Sequence, residues 1–158
     1  MENIFEDRDY AIWRLLSQTR NSLLKLRSKE LALYGLTHRQ AGILAIIGVT
    51  KGDTNAYRIA KWIVLEPHTV STFLKRMEAK GIIKKTAAIE GGRRTSKFEL
   101  TDKGWEAYHK VMRFESIPKV LRVLTDEDRE ALISVLKKLR DETLLQLGIR
   151  TKLPYPPF

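Results

Sequence analysis

The sequence predicts a mainly α-helical protein with one small two-stranded β hairpin, and three observations support this fold class. Apolar residues recur at helical spacing through most of the 158 residues. The period becomes strand-like only around 82–100, where Glu90-Gly91-Gly92-Arg93-Arg94 can turn tightly. Long amphipathic stretches at 8–34 and 126–147 flank this centre. We therefore expect a compact central domain with long helices on either side.

Helix starts in the first part of the chain are marked by side chains that cap backbone N–H groups. The first predicted helix occupies residues 8–34. Thr37 and Gln40 form a capping box that opens a second helix. A short third helix is predicted to begin at Thr54 or Asn55.

The fourth predicted helix covers residues 67–80 and has sharp boundaries. Glu66 precedes a proline and is therefore driven towards extended geometry, whereas Pro67 suits the first helical turn. Gly81 is expected to cap the C-terminus of this helix. One face of this helix is apolar and carries Val70, Phe73, Leu74 and Met77.

The chain then forms the predicted hairpin, with strands at 82–89 and 95–100. A fifth helix is capped by Thr101-Asp102, and Pro118 is expected to interrupt or kink the helical segment after it.

The last predicted helix is opened by a capping box of Thr125 and Asp128 and is closed by Gly148. The tail 153–158, LPYPPF, cannot be helical because of its prolines. Its apolar content predicts that it docks on the folded protein.

Positive charge is concentrated in one segment of the chain. The formal net charge is +10. Between Arg58 and Lys97 there are ten Lys and Arg against three Glu, a local charge of +7. About a quarter of the chain therefore holds most of the excess charge, which is typical of a surface that binds a polyanion such as nucleic acid.

Composition also argues against several other classes of protein. There is no cysteine, so disulfides, thiolate metal sites and cysteine nucleophiles are excluded. The three histidines lack metal-ligand spacing, and no glycine loop for phosphate or catalytic grouping is evident. We expect no metal, no cofactor and no enzymatic activity. No apolar run has transmembrane length and the acidic N-terminus is unlike a signal peptide, so we expect a cytoplasmic protein.

The polar face of the fourth helix carries the residue types that read a DNA major groove. Short polar groups lie near its start and cations occur one turn later; this face comprises His68, Thr69, Ser71, Thr72, Lys75 and Arg76. We expect the two cations to hold phosphates and the imidazole and two threonines to contact bases. Ser71 is a further candidate, although it could turn partly towards the core. The alternative is a merely solvated helix surface.

The hairpin supplies a second candidate contact. Arg94, and next to it Arg93, are expected to reach the minor groove or phosphates. Lys84, Lys85 and Lys97 could also contact phosphates, and the sequence leaves this open. An ordinary hairpin turn is the alternative reading, since Gly-Gly is common in such turns.

The order of these elements resembles a winged helix-turn-helix protein, and in detail the MarR (multiple antibiotic resistance regulator) family of bacterial and archaeal transcription factors. The resemblance is carried by LTHRQAGILAII, RIAKWIVLEPHTVSTFLKRMEAKGIIKK, RRTSKFELTDKG and the long flanking helices. It implies an N-terminal dimerisation helix at 1–35, a DNA-binding domain at 36–103 and C-terminal dimerisation helices with a tail at 104–158. By this resemblance, the predicted hairpin corresponds to the family's wing.

The resemblance implies a homodimer that binds a pseudo-palindromic double-stranded DNA operator, more often as a repressor than as an activator. The central domain has a core of its own, so the apolar stripes of the terminal helices need another surface to pack against. A second subunit would supply that surface, in agreement with a dimer. Relatives often bind small aromatic or anionic effectors between the dimer helices and the DNA-binding domain. The corresponding residues are Trp13, Tyr34, Trp105, Tyr108 and His109, although such aromatics could equally belong to the core. An architectural, sequence-tolerant DNA-binding protein is the alternative function.

One departure from the family pattern is visible in the wing. Relatives usually place an acidic residue directly before the Arg-Arg pair, where it is thought to brace an arginine. Here that position is Gly92, with Glu90 two places earlier. The brace is therefore either missing, which would loosen the wing, or supplied by Glu90.

Overall fold

The computed structural model describes residues 4–149, so the predicted docking of the tail 153–158 lies outside the described residues. This part of the chain is mainly helical and contains one antiparallel two-stranded sheet. After a short 3-10 helix at Ile4–Glu6, its elements are α1 (Arg8–Ala32), α2 (His38–Val49), α3 (Ala56–Ile63), α4 (Pro67–Ala79), β1 (Ile83–Glu90), β2 (Arg93–Leu100), α5 (Asp102–Arg113), α6 (Ser116–Leu121) and α7 (Asp126–Gln146). The predicted fold class is confirmed.

The central core lies where α2, α3, α4 and the wing meet. Its fully buried side chains include Leu44, Ile59, Leu74 and Met77. Burying each such side chain contributes roughly 1.5–3 kcal/mol, so this cluster fixes the position of α4 against α2 and α3.

The predicted helix caps are present. The side chains of Thr37 and Gln40 cap each other's backbone N–H, and Thr125 and Asp128 form the same box at the start of α7. At α3 the cap is Asn55. These contacts satisfy N–H groups that have no partner inside the helix.

The wing is longer than the sequence predicts, because its strands extend to the turn. Glu90 pairs with Arg93, which leaves only Gly91 and Gly92 as turn residues. Both glycines have positive φ, 56° and 74°. A two-residue loop with positive φ at both positions is the type I′ turn, whose twist matches that of the strands.

The break after α5 differs in position from the predicted interruption at Pro118. It occurs four residues earlier, at Phe114, which adopts a left-handed conformation with φ 45°. Pro118 instead lies in the first turn of α6, where a missing N–H costs nothing because that group has no helical partner.

The α5–α6 junction is held to α1 by a buried arginine. Arg27 donates from Nη2 to the main-chain oxygen of Val111 and lies 4.9 Å from the ring centroid of Phe114. Its Nη1 is paired with Glu30 at 2.5 Å, and the two side chains are only 7% and 10% exposed. The charge on Arg27 is therefore neutralised beneath the surface, which such burial requires.

Glu30 in turn caps the start of α6. Its carboxylate accepts from the backbone N–H groups of Glu115 and Ser116, each at 3.1 Å, and from the Ser116 hydroxyl. Burial alone would raise the pKa of Glu30, but the hydrogen bonds from Arg27, Ser116 and the two N–H groups outweigh it and hold the pKa at about 2. The carboxylate is thus charged at any physiological pH.

The terminal helices leave much of their apolar surface uncovered. On α1, Trp13 and Leu15 are 65% and 63% exposed, and on α7 Val135 and Leu139 are 51% and 42% exposed. Leu144 is the one buried residue of α7. Across residues 4–149, no helix combines the length and apolarity that crossing a membrane would need.

Candidate nucleic-acid interface

The turn between α3 and α4 sets the angle of the candidate recognition helix. Val64 ends α3 in the left-handed region with φ 52°, and Leu65 N–H donates to the Ala60 oxygen at 3.0 Å. Glycine is the usual residue at such a helix end. A β-branched residue there is strained, so the surrounding packing maintains this turn against a local cost.

The two faces of α4 separate as the sequence predicts. Val70, Leu74 and Met77 are buried, and Phe73 is half-buried against the core. On the opposite face, the candidate DNA-binding residues His68, Thr72, Lys75 and Arg76 are exposed. A row of one imidazole, one hydroxyl and two cations is therefore open to solvent along 67–79.

The hydroxyl groups of α4 are held by their own helix. Ser71 donates to the oxygen of Pro67 at 2.9 Å, and Thr72 donates to the oxygen of His68 at 3.1 Å. The Thr69 hydroxyl lies 3.3 Å from Nε2 of His68. With its proton donated to the backbone, the Thr72 hydroxyl presents acceptor lone pairs outward, which suits the exocyclic amino groups of adenine or cytosine.

Thr69 and Ser71 differ from the exposed row because both are half-buried. Ser71 lines a cleft of about 400 Å³ between α4 and the wing, together with Lys75 and Lys85. The sequence leaves open whether Ser71 turns partly towards the core, and the structure places it on the flank of α4 that faces the wing.

The wing presents two arginines that have no partner in the described part of the chain. Arg93 and Arg94 are exposed, and neither forms an ion pair or side-chain hydrogen bond within residues 4–149. By contrast, Lys84 pairs with Glu99 at 2.9 Å and Lys97 pairs with an aspartate of the α2–α3 loop. The two arginines are therefore free to meet an external anion, as is the exposed Lys85 of β1, which also forms no ion pair within residues 4–149.

The predicted effector residues are only partly brought together. Trp105, Tyr108 and His109 form a cluster on α5, with ring centroids 5.3 to 6.1 Å apart. Tyr34 packs against the core, and Trp13 is exposed on α1. The Tyr108 ring occupies the space beside Gly48, where a Cβ would lie 2.2 Å from it. Tyr108 thus has a packing role between α5 and α2.

A second cleft, which the sequence does not predict, lies between α1, α2 and the α3–α4 turn. Its volume is about 770 Å³, and it is lined by the cationic or titratable residues Arg20, His38 and Arg39 and by Val64 and Phe73. The residues come from four elements, so no local spacing reveals them. The adjacent pair His38-Arg39 at a helix start is the one local signal.

The electrostatics of this second cleft favour an anion. Partial burial lowers the pKa of His38, and the charges of Arg20, Arg39 and Arg27 lower it further. Three like charges near an imidazole disfavour its protonated form. Arg20 and Arg39, which line the cleft, would favour a negatively charged group placed between them.

Comparison with known proteins agrees with this geometry. Residues 36–94 match the family model for the MarR family. This segment of the chain is therefore similar to MarR-family proteins. The matched segment runs from the residue before the α2 cap to the wing arginines, so it contains the candidate DNA-binding residues of α4 together with Arg93 and Arg94. No curated protein matches the sequence of this chain.

Solved structures of several bacterial regulators share the fold. The organohalide-sensing transcriptional regulator RdhR, solved with 2,4-dichlorophenol bound, is 25% identical with a TM-score of 0.86, covering 100% of this chain and 95% of its own. AbsC of Streptomyces coelicolor, a MarR-family regulator, is 23% identical with a TM-score of 0.76, covering 87% and 95%. MepR of S. aureus, solved in complex with DNA, is 20% identical with a TM-score of 0.72, covering 87% and 96%. Over the described residues the chain therefore has the winged helix-turn-helix fold of these transcriptional regulators.

Proposed function

We propose that this protein is a homodimeric repressor, without enzymatic activity, that acts in the cytoplasm on a pseudo-palindromic DNA operator. The observation that carries the proposal is the exposed polar and cationic face of α4 beside two unpaired wing arginines. In each subunit α4 would enter a major groove, and the wing would track the adjacent minor groove. Bound at a promoter, the dimer would exclude RNA polymerase.

The uncovered apolar stripes of α1 and α7 support the dimer. Four exposed apolar residues of α7 recur at helical spacing, namely Leu132, Val135, Leu136 and Leu139. A contiguous apolar surface of this kind is unfavourable in water and is typical of a subunit interface. Two-fold symmetry would then repeat α4 at a fixed spacing, which requires half-sites about one helical turn apart on the same face of the DNA.

The side chains support a division of roles at the DNA. Lys75, Arg76 and the wing arginines carry full charges on flexible stems and would bind phosphates or the minor groove. His68, Thr69 and Thr72 would contact bases, with Thr72 acting as an acceptor. Ser71 would contact DNA only from the flank of α4, because it is half-buried beside the wing.

Selection of bound fragments from a pool of random duplex DNA tests this function. We expect an inverted repeat with a single spacing and a discrete footprint that survives excess competitor DNA. An architectural protein would instead coat competitor and operator alike and leave no footprint. Sedimentation of the same preparation should show a dimer, and a monomer that binds DNA would contradict the proposed symmetry.

We further propose that a small aromatic anion releases the protein from DNA by binding the cleft between α1, α2 and the α3–α4 turn. The cleft combines Arg20 and Arg39 with the Phe73 side chain and touches Val64 in the turn that orients α4. A ligand there would favour a dimer in which the two α4 helices are mis-spaced. It could shift DNA binding only by its preference between the two states, typically ~1–3 kcal/mol.

This effector proposal is tested with 2,4-dichlorophenol and benzoate in a DNA-release titration. We expect Arg20→Gln to weaken release by an active compound, because it removes a cation from the cleft. Arg14→Gln is the matched control, since Arg14 lies exposed on the same helix and does not line the cleft. Equal release from the two variants would refute the assignment of this cleft.

A further inference from the structure

We propose that Glu90 is a positioning residue for DNA binding: it ties the tip of the wing to the N-terminus of α3 and thereby aims Arg93 and Arg94 at the DNA. The inference rests on the proposed DNA-binding function. It concerns a residue that the family pattern does not single out, at a wing whose usual acidic position is Gly92.

Glu90 is the last residue of β1, directly before the turn, yet its side chain contacts α3 rather than the turn. Its Oε2 accepts from Nδ2 of Asn55 at 2.9 Å, and its Oε1 lies 3.8 Å from Nη2 of Arg58. Nζ of Lys97 lies 4.0 Å from the same oxygen. The Glu90 side chain is 29% exposed, so these contacts form at a partly desolvated site.

Asn55 links the wing and α3 through a single side chain. Its Oδ1 accepts from the Arg58 N–H at 2.9 Å and caps α3, while its Nδ2 donates to Glu90. Both the oxygen and the nitrogen of the Asn55 amide are therefore hydrogen-bonded, and this side chain couples the start of α3 to the wing. A backbone bridge between Asn55 and Lys97 strengthens the same junction.

Lys97 extends the network to the α2–α3 loop. It pairs with Asp53, and the Phe98 N–H donates to the Thr54 oxygen at 3.2 Å. The wing is thus attached along β2 by main-chain and charged contacts, and near its tip by Glu90. Without Glu90, the final residues of the hairpin would be held only by each other.

This arrangement explains how the wing can lack the usual acidic brace. Glu90 lies opposite Arg93 in the sheet, but its carboxylate is engaged by α3 and forms no ion pair with either tip arginine. Because contacts with α3 orient the wing tip, the guanidinium groups of Arg93 and Arg94 keep their full charge for DNA. An acid that paired with an arginine would position it but would also neutralise it.

Glu90→Gln tests the role, and Glu99→Gln is its matched control. Glu99 is a second wing glutamate, but its partner Lys84 belongs to the wing itself. Each substitution removes one negative charge from the hairpin, which by electrostatics alone would strengthen DNA binding. We expect Glu90→Gln to weaken operator binding roughly fivefold, the scale of a small ion-pair network. Glu99→Gln should leave affinity equal or slightly higher.

Two further variants separate positioning from folding. Asn55→Ser keeps a good helix cap without the amide donor, so it should weaken DNA binding while helix content by circular dichroism stays unchanged. In an Arg94→Ala background, Glu90→Gln should have a much smaller effect on DNA affinity, because one of the arginines that Glu90 positions is already absent.

The outcomes distinguish this inference from the function on which it rests. Failure of the unaltered protein to bind any selected duplex overturns the proposed function itself. Normal binding by the unaltered protein, with Glu90→Gln and Glu99→Gln affected alike, overturns the positioning role alone. Full additivity of Glu90→Gln and Arg94→Ala overturns it as well.

Discussion

Replacing Glu30 with glutamine should destabilise the protein at neutral pH and leave it little changed in strong acid. The drop in the pKa of Glu30 from 4.5 to about 2 corresponds to about 3 kcal/mol at about 1.4 kcal/mol per pH unit. The side chain is 10% exposed, and partial screening by nearby solvent brings the expected loss for Glu30→Gln to about 2 kcal/mol. The buried Arg27 would lose its counter-charge.

The sign of the pH dependence is set by the direction of the pKa shift. A carboxyl group whose pKa is lowered by folding stabilises the native state above its unfolded value of 4.5, and this contribution disappears as the pH falls to about 2. The difference between Glu30→Gln and the unaltered protein should therefore be full at pH 7 and should shrink progressively below pH 4.5.

Chemical denaturation at several pH values, at one fixed protein concentration, measures this difference. Glu106→Gln, an exposed glutamate of α5, is the control and should change stability by less than about 0.5 kcal/mol. A loss for Glu30→Gln that is the same at pH 7 and pH 3 would show that shape, not charge, makes this residue important. The reasoning about the α1–α6 connection would then be wrong.

Three other predictions concern the wing, the α3–α4 turn and the dimer. Arg94→Ala should lower DNA affinity and reduce the slope of log K against log salt by about 0.9 if one phosphate contact is lost; an unchanged slope and affinity would remove the wing from the mechanism. Val64→Gly should stabilise the protein by roughly 0.5–1 kcal/mol, because it relieves a left-handed β-branched residue; a lower Tm would contradict the inferred strain. Leu139→Glu should give monomers in sedimentation while circular dichroism shows the central domain still folded; a persistent dimer would place the interface elsewhere.

Local signals predict most of the fold. The capping boxes at Thr37 and Thr125, the boundary at Pro67 and the apolar period of α4 each depend on residues within about one helical turn. Such interactions join residues that are close in sequence, so they can be predicted without knowing the tertiary structure. The polar face of α4 is determined by the same period, because burial of one face decides which residues remain outside.

Contacts between distant residues cannot be predicted in this way. In the sequence, Arg27 is indistinguishable from other cations of the first helix. Its hydrogen-bond partner Val111 is 84 positions away. The sequence places the break at Pro118 rather than Phe114, because proline is visible in sequence whereas a strained phenylalanine held by Arg27 is not. The cleft lined by Arg20 and Arg39 escapes prediction for the same reason: its walls come from four elements.

The geometry of the wing turn disfavours an acidic residue at Gly92, the position where similar MarR-family wings usually carry one. Both turn residues lie in the left-handed region, where a side chain costs roughly 1–2 kcal/mol. Because the loop contains only two residues, Gly92 cannot take an acid without this cost or a longer turn. An acid that orients the wing is then best placed on the adjoining strand, outside the turn. Glu90 is the residue of β1 next to the turn, and α3 offers it an amide and a guanidinium. The two-glycine turn and the proposed orientation of the wing by Glu90 are therefore compatible with each other.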